Sequence, residues 1–196
     1  MKTNENQTQT KIITSAKKLF VKNGFNGTSI RDIAKDAKVQ VSLIYHYYEN
    51  KTALWKAVKE ALFTQELVQS LTECTEVDHF KDYLDRFIRL RFEVYFNNPE
   101  ILRLIDWQRL EDNDELIGIR SYSHNSIWQN LENIIHKFQQ DGQVIKKYPP
   151  KYILLTINSA IFAPFMHSYK FDSQAEREAF VTMTIDSMER AFGVIN

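Results

Sequence analysis

The sequence is poor in residues that break helices and in residues that cross-link chains. Five glycines and four prolines occur in 196 residues, most of them where helices should end, so long helices can run uninterrupted. No stretch alternates between apolar and polar residues with hairpin turns at its ends, which argues against a sheet-based fold. The one cysteine, Cys74, excludes an internal disulfide framework. It is expected to be an inert thiol in a reducing cytoplasm. No apolar run follows Met1, so no secretory signal is read. The most apolar stretch, Ile153–Met166, is interrupted by Thr156, Asn158 and Ser159 and is too short to span a bilayer. A glycine-rich phosphate loop and a His-Glu-x-x-His stretch are both missing. Glu76-x-x-His79 supplies half of a di-iron helical pattern, but the second copy is absent. No enzyme, cofactor or metal is therefore expected.

Net charge is lacking too, since 25 basic residues balance 25 acidic ones. The balance is uneven along the chain. Through Lys51 there are nine basic and four acidic residues, a surplus of five that residues 52–196 cancel. A modest positive head on a negative body suits a polyanion at the head.

That head carries the most informative pattern. Ile12, Ile13, Ala16, Leu19 and Phe20 make an apolar stripe that Gly24 should stop, with Phe25 packing back on it. Ile30, Ile33, Ala34 and Ala37 then mark one face of a short helix. Ser29 and Asp32 before it have capping-box spacing. Lys38 to Val41 breaks the period, and a second short helix follows through Tyr48. On a helical wheel of about 100° per residue, Val41, Tyr45 and Tyr48 share the sector of Ile44. Ser42, Leu43, His46 and Tyr47 fall opposite. One face can pack on the first short helix while the other enters a major groove, which is the division a recognition helix needs. Ser42 and His46 can hydrogen-bond base edges or phosphates. Leu43 suits a thymine methyl, and the Tyr47 hydroxyl suits a phosphate. Lys51, in the first turn after an expected Asn50 cap, brings its charge to free backbone N–H groups and suits a phosphate too. Arg31 could reach a base edge or the backbone.

The same residues resemble the TetR family of bacterial one-component regulators. The resemblance rests on Leu19-Phe20, Gly24-Phe25, Thr28, Ile33-Ala34, Ala37, Val39, the run Tyr45-His46-Tyr47-Tyr48, Lys51 and Leu54. It covers about a quarter of the chain and departs from the family at three positions. Lys38 stands where a turn glycine is usual, Gln40 where a capping serine is usual, and Ser42 where a small glycine or alanine is frequent. The resemblance implies an all-α protein with a three-helix DNA-binding domain (1–51) and a larger helical effector-binding and dimerisation domain (52–196). It implies a homodimer on a palindrome-like double-stranded operator, usually a repressor, released by a small molecule. By position, Ser42, Leu43 and His46 would face bases. Thr28, Tyr47 and Lys51 would bind phosphates, with Arg31 and Tyr45 as further contacts.

The remainder reads as a helical body. Helices are expected over Asn50 to Leu71, Phe80 to Phe96, Pro99 to Leu110, Gly118 to Gln140, Pro150 to Tyr169 and Ser173 to Gly193. Thr72 to Val77 is read as a polar break, Glu111 to Glu115 as an acidic loop, and the N-terminal tail as frayed. Pro164 should bend its helix or end it early. The last two helices are the dimer candidates, through Ile153, Leu154, Ile157, Ala160, Ile161 and Phe165 on one and Phe180, Met183, Thr184, Ser187, Met188 and Ala191 on the other. The alternative is that these faces complete the monomer core. Aromatic residues crowd the middle helices and suggest a pocket for a planar or hydrophobic effector. Its candidate residues are Trp107, Gln108, Tyr122, His124, Trp128, Asn158, Phe162 and Phe165. A helical protein-interaction bundle without DNA binding is the competing reading of the whole chain.

Overall fold

A computed structural model describes residues 2–62, 77–111, 124–167 and 169–194. Cys74, Glu76, Tyr122 and most of the expected break and acidic loop lie outside them. Among the described residues there are nine helices: α1 Lys2–Asn23, α2 Ile30–Ala37, α3 Val41–Tyr47, α4 Lys51–Leu62, α5 Phe80–Asn97, α6 Pro99–Leu110, α7 His124–Gln140, α8 Pro150–Met166 and α9 Gln174–Phe192. The only β pairing among them is an isolated antiparallel bridge between Val144 and Gly193. The helices sort into two compact units. The first holds α1 to α4 and, from further along the chain, α6. The second holds α5 and α7 to α9.

The first unit is built around α1. Ile12, Ala16 and Phe20 are fully buried with Ile33 of α2, Ile44 of α3, and Leu54, Trp55 and Val58 of α4. Phe20 meets the Trp55 ring edge-on at 4.9 Å, and Phe25 meets it at 5.7 Å. Such pairs add specific geometry to a large apolar burial. Gly24 ends α1 in the left-handed region (φ 76°), and its N–H bonds to Phe20 O at 2.9 Å. Where a frayed tail was expected, α1 begins at Lys2. A packed segment can propagate a helix through polar residues, since each added residue gains a backbone bond.

The second unit packs α5 against α9 and α8, and α8 against α7. Phe80, Tyr83 and Phe87 line one side of α5. The Tyr83 ring stacks on Phe87 at 5.4 Å and meets Phe138 of α7 at 5.8 Å. The amide of Gln143 ties the turn after α7 to the start of α5, accepting from Phe80 N–H at 2.8 Å and donating to Asp78 O at 2.8 Å. Pro164 gives no N–H to the carbonyl one turn back, and α8 stops at Met166, short of the expected Tyr169. Ile153, Leu154, Ile157 and Ile161, offered above as dimer residues, are fully buried inside this unit. They complete the monomer core because their neighbours on α5 and α7 already cover them. The outward stripe of α8 is a different one, Tyr152, Leu155 and Met166, all more than half exposed. On α9, Thr184 is likewise buried, while Met183, Ser187 and Ala191 face outward.

Candidate DNA-binding surface

Two short helices present the surface, and each is held by local chemistry. The capping box of α2 forms as the spacing predicts. Asp32 N–H donates to Ser29 Oγ at 3.1 Å, and Ser29 N–H donates to Asp32 Oδ2 at 3.2 Å. The Ser29 hydroxyl, then its backbone N–H, holds the Asp32 carboxyl below the usual carboxylate range. At the far end of α2, Lys38 adopts φ 57° and ψ 44°, the left-handed geometry that favours glycine. Val39 N–H then reaches back to Ala34 O at 3.0 Å. The chain turns sharply there and α3 begins at Val41 with no side-chain cap from Gln40. Two of the three departures from the family pattern, Lys38 and Gln40, therefore fall in this turn, one in left-handed geometry and one without a capping bond.

The helix α3 buries Ile44 completely and is followed by buried Tyr48. Ser42 and His46 are exposed, and Leu43 and Tyr47 are half-buried at the edge of the same face. The His46 ring lies edge-on to Tyr47 at 5.2 Å. Tyr45, which shares the Ile44 sector on an ideal wheel, is 53% exposed, because one short helix against α2 covers only a narrow strip. Arg31 is exposed on the first turn of α2. Asn50 caps α4 through Ala53 N–H at 2.8 Å.

Two expected phosphate ligands hydrogen-bond within the protein. Thr28 is 2% exposed, and its hydroxyl donates to Gly24 O at 2.8 Å and Leu19 O at 3.2 Å. The ammonium of Lys51 donates to Phe25 O at 2.9 Å and Thr28 O at 3.0 Å. Desolvation lowers the Lys51 pKa, partly opposed by the charge of Glu111. The Thr28 hydroxyl and two of the three Lys51 N–H donors thus bind carbonyls at the end of α1 and in the turn that follows it.

That turn has a third partner, which the sequence reading missed. The carboxylate of Glu111, just past α6, accepts from Phe25 N–H at 3.1 Å and Asn26 N–H at 3.0 Å. Trp107 donates its indole N–H to Val21 O at 3.2 Å. Gln108 is buried and accepts from Lys59 at 2.8 Å. Trp107 and Gln108, expected at an effector site, thus bind within the first unit. Nothing in the local sequence signals a pairing across some 85 positions.

The other effector candidates are placed in the second unit. Asn158 is buried, and Phe162 lies 4.4 Å from the Tyr95 ring. Phe165 lies 5.2 Å from Phe92. Trp128 is half-buried on α7, and His124 opens that helix, its side chain outside the described ones.

The comparisons with known proteins agree with this geometry. Residues 12–58 match the family model for "Bacterial regulatory proteins, tetR family", and residues 82–190 match that for "Tetracyclin repressor-like, C-terminal domain". The chain belongs to the TetR family. A Bacillus subtilis relative, named a probable HTH-type transcriptional regulator YttP, is 51% identical over 165 residues, covering 81% of this chain and 77% of the relative. An Escherichia coli K12 relative, named a probable acrEF/envCD operon repressor, is 27% identical over 159 residues, covering 79% and 72%. Among solved structures, a Shewanella protein assigned to the same family superposes with a TM-score of 0.75 at 18% identity, covering 96% of this chain and 99% of that one. As a TetR-family member the protein is a DNA-binding transcriptional regulator, not an enzyme. Its helix-turn-helix is α2 and α3. No helix among the described residues is long and apolar enough to cross a membrane.

Proposed function

We propose that this regulator is a repressor that binds a palindromic operator as a homodimer and is released when a small molecule occupies the second unit. The outward face of α3 carries the reading. Ser42 and His46 are exposed, with the His46 ring edge-on to Tyr47, Leu43 lies beside them, and Tyr45, Tyr47 and Arg31 flank them. Thr28 and Lys51 act on this surface from behind. Repression is favoured by the E. coli relative named an operon repressor. Dimerisation is favoured by the uncovered stripes of α8 (Tyr152, Leu155, Met166) and α9 (Met183), which have the mixed apolar character of a helix-on-helix interface.

The chemistry of the effector is suggested by Arg91. Its guanidinium sits 4.7 Å from the Tyr95 ring and 5.9 Å from the Phe87 ring. It donates to Asn158 Oδ1 at 3.2 Å and to the Tyr95 hydroxyl. Its Nε is buried with no partner, and no described carboxylate pairs with it. Arg91 is half-buried, and a buried Nε donor left without an acceptor is costly; an anionic group on a largely apolar ligand would satisfy it.

Selection from a random duplex pool, followed by mobility shifts at one stated salt concentration, tests the reading. An inverted repeat is expected, with half-sites a whole number of turns apart. Enrichment of an unsymmetric motif would defeat the dimer, and no enrichment would defeat sequence-specific binding. For the effector, aromatic and aliphatic carboxylates are expected to raise the unfolding temperature more than their matched alcohols do. Arg91→Gln should erase the difference.

A further inference from the structure

By sequence, Trp107 and Glu111 belong to the C-terminal family domain, which spans 82–190. In space they are built into the DNA-binding unit. We propose that Glu111 is a positioning residue for operator binding, its carboxylate fixing the turn from which the helix-turn-helix is hung. This rests on the DNA-binding reading of α3.

The turn at residues 24–28 is gripped from two sides by opposite charges. Glu111 takes the N–H groups of Phe25 and Asn26, while Lys51 takes the C=O groups of Phe25 and Thr28. Each grip is a pair of charge-assisted bonds, stronger than neutral ones and directional. The peptide groups of the turn are therefore oriented by a carboxylate at their donor side and an ammonium at their acceptor side. Close contact enforces the arrangement. A Cβ at Gly24 would lie 2.3 Å from Glu111 Oε1 and 2.8 Å from Trp107 Cε3, so the end of α6 rests directly on the turn.

What hangs from the turn is the reading surface. Thr28 is followed at once by Ser29, the cap of α2, and Lys51 opens α4 shortly after α3 ends. Between those anchors α3 has little holding power of its own. It is seven residues long, lacks a side-chain cap, and follows a residue in left-handed geometry. Its pitch depends on where α2 starts and where α4 starts, and the clamp sets both. Glu111 is no DNA ligand, since a carboxylate is repelled by phosphates. Its influence on DNA runs through Phe25, Asn26 and Lys51.

The test compares wild type with Glu111→Ala and Glu111→Gln. Three quantities are read: amide exchange at Phe25 and Asn26, affinity for the selected operator, and affinity for an unrelated duplex at the same salt. In Glu111→Ala both amides are expected to exchange at least about tenfold faster, because a strong acceptor is lost. Operator affinity should fall by about tenfold while affinity for the unrelated duplex, which rests on backbone charge, stays within about twofold. Glu111→Gln keeps one acceptor and the shape, and should fall between; it carries the test if the alanine variant does not fold. An operator-to-unrelated ratio equal to wild type would overturn the proposal, as would equal losses on both duplexes, which mean general destabilisation. Wild-type binding to the operator is the control that separates failure of the clamp from failure of the DNA-binding reading.

Discussion

The Lys51 ammonium lies 2.9 Å from the carbonyl oxygen of Phe25 and 4.2 Å from the centre of the same residue's ring. A charge held this way stabilises the turn, with two of its three N–H donors bound to the turn's own carbonyls. Lys51→Ala is expected to lower the stability of the first unit by about 1–2 kcal/mol through lost hydrogen bonds and cation–π contact. It should leave the salt dependence of DNA binding unchanged. Arg31→Ala, at an exposed site proposed to contact the backbone, should do the reverse and reduce the salt slope by about one. Binding titrations over a salt series check both, and a reduced slope in the Lys51 variant would mean that its side chain swings out onto a phosphate.

The turn between α2 and α3 can be improved. Lys38→Gly removes a side chain from a left-handed residue and is expected to stabilise the unit by about 0.5–1 kcal/mol, net of the freedom glycine adds to the unfolded chain. Gln40→Ser supplies the absent cap and is expected to add about 1 kcal/mol. The two sites are close, so their effects need not sum. Chemical denaturation of each single variant and of the pair measures this.

Much of this molecule is legible in its sequence, and the part that is not has a common cause. The capping box at Ser29, the stop at Gly24, the start at Pro99 and the cap at Ser173 all rest on neighbours a few residues apart, and all appear in the structure. The outward placement of Ser42 and His46 follows from the period of one short helix. The inward turn of Thr28 and Lys51 does not, because it depends on where the folded chain brings the carbonyls of Leu19, Gly24, Phe25 and Thr28. The Glu111 clamp and the covering of Ile153 and Leu154 depend on contacts between distant segments. Periodicity finds an apolar face but does not say whether the same chain or a second one covers it.

The capping box gives the first unit a defined acid response. Because hydrogen bonds from Ser29 lower the Asp32 pKa in the folded protein, the stability they contribute is present above the ordinary carboxylate range. It is lost as pH falls through the lowered value. Asp36, lowered chiefly by its bond from Lys18 at 2.6 Å, acts with the same sign. Ser29→Ala is therefore expected to be less stable than wild type near neutrality, with the gap narrowing as pH falls below about 4. Unfolding curves over an acid series test it, and a gap that widens on acidification would contradict the linkage.

The proposed dimer would use the uncovered stripe of α8. Leu155 is 60% exposed, and Leu155→Glu would bury a carboxylate if a second copy packs there. Sedimentation at micromolar concentration is expected to show a dimer for wild type and a monomer for the variant. A variant that stays dimeric would move the interface to another face.

One titration decides whether α3 reads bases through Leu43 and His46 as proposed. Wild type and the double variant Leu43→Ala/His46→Ala are each titrated with the selected operator and with a scrambled duplex of equal length, at one salt concentration. Wild type should prefer the operator by about a thousandfold or more. The double variant should lose most of that preference while binding the scrambled duplex as before. Undiminished preference in the double variant would contradict the assignment of this face to the groove.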